Sequence, residues 1–106
     1  MNEKIKNVLD SIKFKNSYLE RDSEDEECVV YNYFSNGIVF ADNKEKIREY
    51  TILLNVYSNK RIDFRNETVR KAMIEAGFKG GQVQVPFKLQ NGFYNTARSE
   101  ERRVGK

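Results

Sequence analysis

The stretch that decides the fold is residues 47–57, IREYTILLNVY, which has the clearest strand pattern in the sequence. Successive side chains of a strand point to opposite faces of a sheet. One alternating row here is wholly apolar and the other is mixed: Tyr50, Ile52, Leu54 and Val56 against Thr51, Leu53, Asn55 and Tyr57. The first row predicts a face that packs on a core. Leu53 and Tyr57 in the second row predict partial cover or a subunit contact on the other face.

The preceding residues predict a helix and a hairpin. Apolar residues at i, i+3, i+4 and i+7 predict a helix over residues 2–13 with one buried stripe: Ile5, Val8, Leu9 and Ile12. Residues 28–34, CVVYNYF, are rich in β-branched and aromatic side chains and predict a strand. Asn36-Gly37 predicts a tight turn because both residues tolerate positive φ. Residues 38–41 are then expected to return as the second strand of the hairpin.

A second helix is predicted after the long strand. Asp63 is expected to cap it, and it runs to about Ala76. Gly77 stands where a left-handed residue commonly ends a helix. The apolar spacing predicts its buried stripe: Val69, Ala72, Met73 and Ala76.

The chain then predicts two further strands. Residues 82–87 alternate, with Val83, Val85 and Phe87 on one face, and Pro86 indicates an edge strand because it has no ladder donor. Asn91-Gly92 predicts a second hairpin, and a final strand begins over residues 93–97.

The predicted element order is α-β-β-β-α-β-β. Strands that are grouped, not alternating with helices, indicate an α+β fold with a largely antiparallel sheet. Two helices can cover one face of such a sheet. We therefore expect residues 1–97 to form a single α+β domain, which fits a chain of 106 residues.

The charge is distributed unevenly. The net charge is +3, yet residues 20–27, ERDSEDEE, hold six acids and one arginine and predict a solvated acidic loop. Residues 98–106, RSEERRVGK, resemble the conceptual translation of a widely used sequencing adaptor and carry a net +2. We therefore expect the natural chain to continue differently after Ala97, with residues 98–106 a non-native tail.

No catalytic constellation emerges from the sequence. Histidine is absent, which removes the commonest general base and metal ligand. Cys28 is the only cysteine and opens an apolar strand, so a buried structural thiol is the better interpretation. The acids at 24–27 lack the alternating ligands and the glycine of an EF-hand loop. We expect no enzymatic activity, no cofactor and no metal.

The N-terminus lacks the apolar core of a signal peptide. No apolar run approaches the ~20 residues that span a bilayer. We therefore expect a cytoplasmic protein without a membrane partner.

Aromatic side chains leave one alternative function open. Five of them could stack on the bases of single-stranded nucleic acid, with Lys and Arg between them: Tyr31, Tyr33, Phe34, Tyr57 and Tyr94. Aromatic residues on half-buried strands more often lie in a core or a subunit interface, and the acidic loop opposes a polyanion. A nucleic-acid-binding module is therefore the alternative to a protein-binding one.

Five segments also carry a family resemblance: YNY at 31–33, FADN at 40–43, YTILLNVYS at 50–58, AMIEAGF at 72–78 and GFYN at 92–95. Together they resemble the tail terminator (tail-completion) proteins of long-tailed bacteriophages and prophages. The resemblance covers most of residues 1–97. It implies a structural protein that forms a ring, usually a hexamer, on the last ring of tail-tube subunits and docks to the head connector.

The resemblance further implies the partners and the location. The partners would be other copies of the chain, the tail-tube protein and a head-connector or neck protein, with no specific nucleic acid. The protein would assemble in the cytoplasm of the host bacterium and end in the neck of the virion. Another neck or head-completion protein is the alternative within phage biology, because a small α+β fold does not fix function.

Such a ring needs heterologous contacts that close by rotation. We expect these contacts to involve Tyr31, Tyr33, Leu53 and Tyr57, because aromatic residues are enriched in interface cores and the central strand carries apolar residues on both faces. A lumen that passes DNA would favour acidic walls. We therefore expect the lumen to be faced by four acids of the loop: Glu24, Asp25, Glu26 and Glu27.

Overall fold

A computed structural model of the chain describes residues 1–21, 23, 26–41 and 44–105. Within these ranges the chain forms two helices and six strands. In chain order they are α1 (Asn2–Ser11), β1 (Asn16–Tyr18), β2 (Cys28–Ala41), β3 (Lys44–Ser58), α2 (Ile62–Glu75), β4 (Lys79–Val83), β5 (Phe87–Lys88) and β6 (Tyr94–Gly105). Within the described residues, neither helix has the length and apolar character to cross a membrane.

The strands form one sheet in the order β1-β2-β3-β6-β4, and β5 also pairs with β6. Only β1 runs parallel to its neighbour, and the other pairs are antiparallel. The predicted α+β class with a largely antiparallel sheet is confirmed.

The core lies between the two helices and one face of the sheet, as β3 predicts. Ile52, Leu54 and Val56 are at most 2 % exposed. The helices contribute the buried pairs Ile5 and Leu9 from α1, and Val69 and Met73 from α2. Burying an aliphatic side chain contributes about 1.5–3 kcal/mol. The helices therefore cover one face of the sheet and leave the other open.

The predicted hairpin at Asn36-Gly37 is wrong. β2 continues through both residues, and they pair with Glu49 and Arg48 of β3. The register shifts between Gly37 and Val39, so the glycine lies at an irregularity in a continuous strand. β2 and β3 instead remain paired as far as Ala41 and Lys44, and Asp42 and Asn43 lie outside the described residues. The long ladder with β3 outweighs the local turn preference.

Two other local predictions differ from the structure. β1 was not predicted, because three residues are too few to show a period. The residue before α2 is Arg61, in the left-handed region at φ 53°, and Asp63 lies in the first turn without capping it. An acid there still favours the positive end of the helix dipole.

The predicted glycine positions are confirmed. Gly77 follows α2 with φ 96°, and Gly92 turns the chain between β5 and β6 with φ 87°.

Val83 and Phe87 do not share a face of the sheet. Val83 pairs with Arg98, whereas Phe87 pairs with Asn95. Three residues lie between Val83 and Phe87, whereas two lie between their partners on β6, and the extra residue reverses the alternation. Pro86 separates β4 from β5, in keeping with the predicted edge position.

Residues 98–105 lie inside the sheet, as most of β6 between β3 and β4. Arg98 and Glu100 occupy core-facing positions with 8 % and 0 % exposure. The Arg98 Nη2 atom lies 2.7 Å from Glu100 Oε1, but Glu100 Oε2 has no hydrogen-bond partner. Replacing such a buried pair with apolar residues is often neutral or stabilising. The resemblance of residues 98–106 to an adaptor translation stays a prediction.

Met73→Ala should lower the free energy of unfolding by about 2–5 kcal/mol, because it leaves a cavity under α2. Ile74→Ala is the matched control. Ile74 is 45 % exposed on the same helix, so its truncation should change stability by less than about 0.5 kcal/mol. Urea unfolding of both variants measures the difference. Equal losses would contradict the described burial of α2.

Glu100 should make stability depend on pH. Burial raises the pKa of Glu100, although Arg98 opposes the shift. The folded state therefore binds this proton more tightly than the unfolded state. The free energy of unfolding should fall as pH rises from the ordinary glutamate pKa of about 4.3 through the raised value.

Glu100→Gln should flatten that decline, because glutamine does not ionise. Glu101→Gln, one residue further along β6, should preserve it. Urea unfolding across this pH range compares both with the unmodified chain. A Glu100→Gln profile that keeps the full decline would show that another group causes it.

Candidate functional site

The sheet has a second face that the helices do not cover. Direct pairing across β2, β3 and β6 places nine residues together on it: Val30, Asn32, Phe34, Thr51, Leu53, Asn55, Ala97, Ser99 and Glu101. We call this set the open face. Each row across it contains one residue from each of the three strands, so its shape is fixed by the ladder.

Two large apolar side chains project from the open face. Phe34 is 52 % exposed and Leu53 is 38 % exposed. They lie on neighbouring strands, because Leu53 pairs with Asn32, two residues before Phe34. Such diagonal neighbours are close enough for large side chains to present one surface.

A shallow groove runs beside Leu53. Its floor includes Asn55, Ala97 and Ser99, and Gln82 and Gln84 line its wall. The close approach of this wall requires Gly81, where a Cβ atom would lie 2.9 Å from the Ser99 carbonyl oxygen. The groove is open and shallow, which suits a protein surface better than an enclosed small molecule.

Arg21 covers one end of the same side of the sheet. Its guanidinium carbon lies 4.1 Å from the Tyr57 ring centre and 5.2 Å from that of Phe93. Cation–π contacts of this kind contribute about 0.5–1 kcal/mol at exposed sites. Cys28, which pairs with Tyr57, is 7 % exposed at this covered end. No sequence pattern indicated that Arg21 would fold back here, because the contact joins a loop to strands distant in sequence.

The four predicted interface residues separate into two groups. Tyr31 is 2 % exposed in the core, where its hydroxyl donates to Asn2 Oδ1, and burial raises its pKa. Tyr33 is only partly buried and packs against that core. Leu53 lies on the open face, and Tyr57 lies on the same side beneath Arg21. Leu53 is thus the most accessible of the four. Phe34, which was not among them, is also exposed on the open face.

The described acids of the predicted lumen loop contact the body of the protein. Glu26 forms an ion pair with Lys15. Glu27 Oε2 lies 2.9 Å from Arg65 Nε and accepts a hydrogen bond from the Asn59 amide at 3.3 Å. Glu24 and Asp25 lie outside the described residues.

Ion pairs hold several of the basic side chains to acids of the same molecule. Besides the pairs of Glu26, Glu27 and Glu100, ion pairs join Lys6 to Asp10, Arg70 to Glu67 and Arg103 to Glu49. These pairs are spread over both helices and the sheet. Within the described ranges, no group of three or more potential metal-ligating side chains is present.

No protein-family model matches the chain, and no curated protein matches it.

Glu27→Gln should lower the free energy of unfolding by about 1–2 kcal/mol, because Glu27 is 17 % exposed and holds both Arg65 and a backbone amide. Glu26→Gln is the control. Its pair with Lys15 is half exposed, so the change should stay below about 0.5 kcal/mol. Urea unfolding in low and high salt measures both. A larger effect of Glu26→Gln would reverse the inferred order of the two contacts.

Proposed function

We propose that this protein is a structural component of phage assembly that caps the tail tube as a ring and joins it to the head connector. The observation that carries the proposal is the open face, where Phe34 and Leu53 stand exposed on a sheet whose other face holds the core. A rigid sheet presents such side chains with little loss of conformational entropy on binding. The family resemblance supplies the identity of the partners.

The chemistry of the open face suits an assembly contact. Its exposed apolar residues are surrounded by short polar side chains, such as Asn32, Thr51 and Ser99. Protein interfaces combine an apolar centre with a polar rim in this way. The open face would therefore contact the flat end of the tail tube.

Intramolecular ion pairs reduce the basic charge that is available to nucleic acid. A nucleic-acid-binding surface gains most of its affinity from cations that are free to neutralise phosphates. In the described part of the chain, Lys15, Arg65 and Arg103 instead contact carboxylates of the same molecule. Nucleic-acid binding stays the alternative function, and a steep fall of affinity with salt would support it.

We still propose that the acidic loop faces the lumen of the ring, but fewer of its residues are suitable for a test by substitution. Glu27 also holds Arg65, so its neutralisation would confound stability with DNA passage. Glu24 and Asp25 are the appropriate positions to change.

Leu53→Lys should reduce tail-tube capping at least tenfold, because it places a charge at the centre of the proposed contact. Ile74→Lys is the control, since Ile74 is 45 % exposed on α2, away from the open face. The assay is complementation of a phage or prophage that lacks this gene, with tail lengths and capped tube ends counted by electron microscopy.

Normal tail lengths with a folded Leu53→Lys protein would contradict the proposal. The proposal would also be contradicted if the wild-type chain bound DNA tightly, with a steep salt dependence, and did not bind tube ends. The Leu53→Lys variant also distinguishes the two proposed functions, because the added positive charge should strengthen nucleic-acid binding and weaken capping. Binding to the connector alone would instead assign the protein to another neck component.

A further inference from the structure

The β4–β5 side of the sheet ends in an edge that the described chain leaves uncovered. Every residue of β4 and β5 is exposed. Three of the exposed side chains in and between these strands are large and apolar: Val83 at 61 %, Val85 at 85 % and Phe87 at 69 %. Edge strands with exposed apolar residues readily pair with another chain, and monomeric proteins normally protect them. This edge therefore has the character of an interface.

The opposite end of the sheet has a shorter exposed edge at β1. Tyr18 is 41 % exposed, and the following Leu19 is 55 % exposed in the left-handed region at φ 68°. A bulky residue rarely adopts that conformation in water without compensation. Because β1 has a neighbour on one side only, alternate backbone groups point away from β2. The Tyr18 carbonyl among them already accepts a hydrogen bond from the Glu20 amide at 2.8 Å, and a second strand can pair with the others.

The two edges also differ in charge. Lys79 and Lys88 lie on the β4–β5 edge, and both are exposed. The β1 edge is followed by residues 20–27, whose sequence carries six acids and one arginine, and Lys15 just before β1 is paired with Glu26 of that segment. Opposite charges on the two edges favour their contact with each other and disfavour pairing of two like edges.

We propose that the β4–β5 edge of one copy docks on the β1 edge of a second copy. The two surfaces differ, so the contact is heterologous and each copy keeps one free edge for the next. Successive contacts would extend the sheet from copy to copy. Closure of the series into a ring rests on the function proposed above, whereas the edge contact does not.

Two variants of the full chain test this contact. Leu19→Lys blocks the β1 edge by repelling Lys79 and Lys88. The double variant Val85→Lys with Phe87→Lys blocks the β4–β5 edge by removing its apolar contacts. All three substituted side chains are more than half exposed, so both proteins should fold, and circular dichroism checks this. Sedimentation velocity over a wide concentration range measures association.

We expect the unmodified chain to show a sedimentation coefficient that rises with concentration beyond that of a dimer. Each variant alone should lose this rise. Their equimolar mixture should form a one-to-one heterodimer that grows no further, because only one intact edge of each kind is present.

Three results would overturn the proposal: an unmodified chain that stays monomeric at the highest concentration, a Leu19→Lys protein that still dimerises, or a mixture that stays monomeric. Leu53→Lys keeps both edges and should self-associate normally. Loss of capping by Leu53→Lys with no edge-dependent association would remove the edge contact alone. Edge-dependent association with normal capping by Leu53→Lys would remove the proposed use of the open face alone.

Discussion

The structure depends on the position of β3 between β2 and β6. Its alternating side chains must place Ile52, Leu54 and Val56 on one face, and only that face can bury the apolar stripes of α1 and α2. The same alternation sends Leu53 to the opposite face, which neither α1 nor α2 covers. Core and open face are therefore two consequences of one periodicity. A shift of one residue in register would exchange them.

β6 completes the sheet without sharing this periodicity. Beyond Ala97 its charged residues fall on both faces: Arg98, Glu100 and Arg102 on one, and Glu101 and Arg103 on the other. Part of the core is consequently closed by an ion pair, and the Arg102 guanidinium donates to the Ala76 carbonyl at the end of α2.

Sequence reasoning succeeded where one local signal was strong and uncontested. The long alternation of β3, the stripes of the helices and the positive-φ glycines all correspond to observed elements. The prediction of a turn at Asn36-Gly37 failed, because a two-residue turn signal carries no information about the pairing energy of a long strand ladder. For the candidate site, Leu53 was predicted, but Tyr31 was assigned to an interface although it lies in the core. Strand alternation shows that two residues lie on opposite faces, but not which aromatic residue a helix will cover.

The central place of β6 also determines how the chain can reach its native state. The β2–β3 pair is local and needs only a short loop to close. The β3–β6 pair joins Ile47 to Gly105 and Ser58 to Tyr94, so α2 and β4 must be arranged before the sheet is whole. Such distant pairing raises the contact order, and folding slows as contact order rises. A newly made chain should therefore first form a β2–β3 ribbon. The apolar face of this ribbon is not yet covered by the two helices, and β3 is not yet paired with β6.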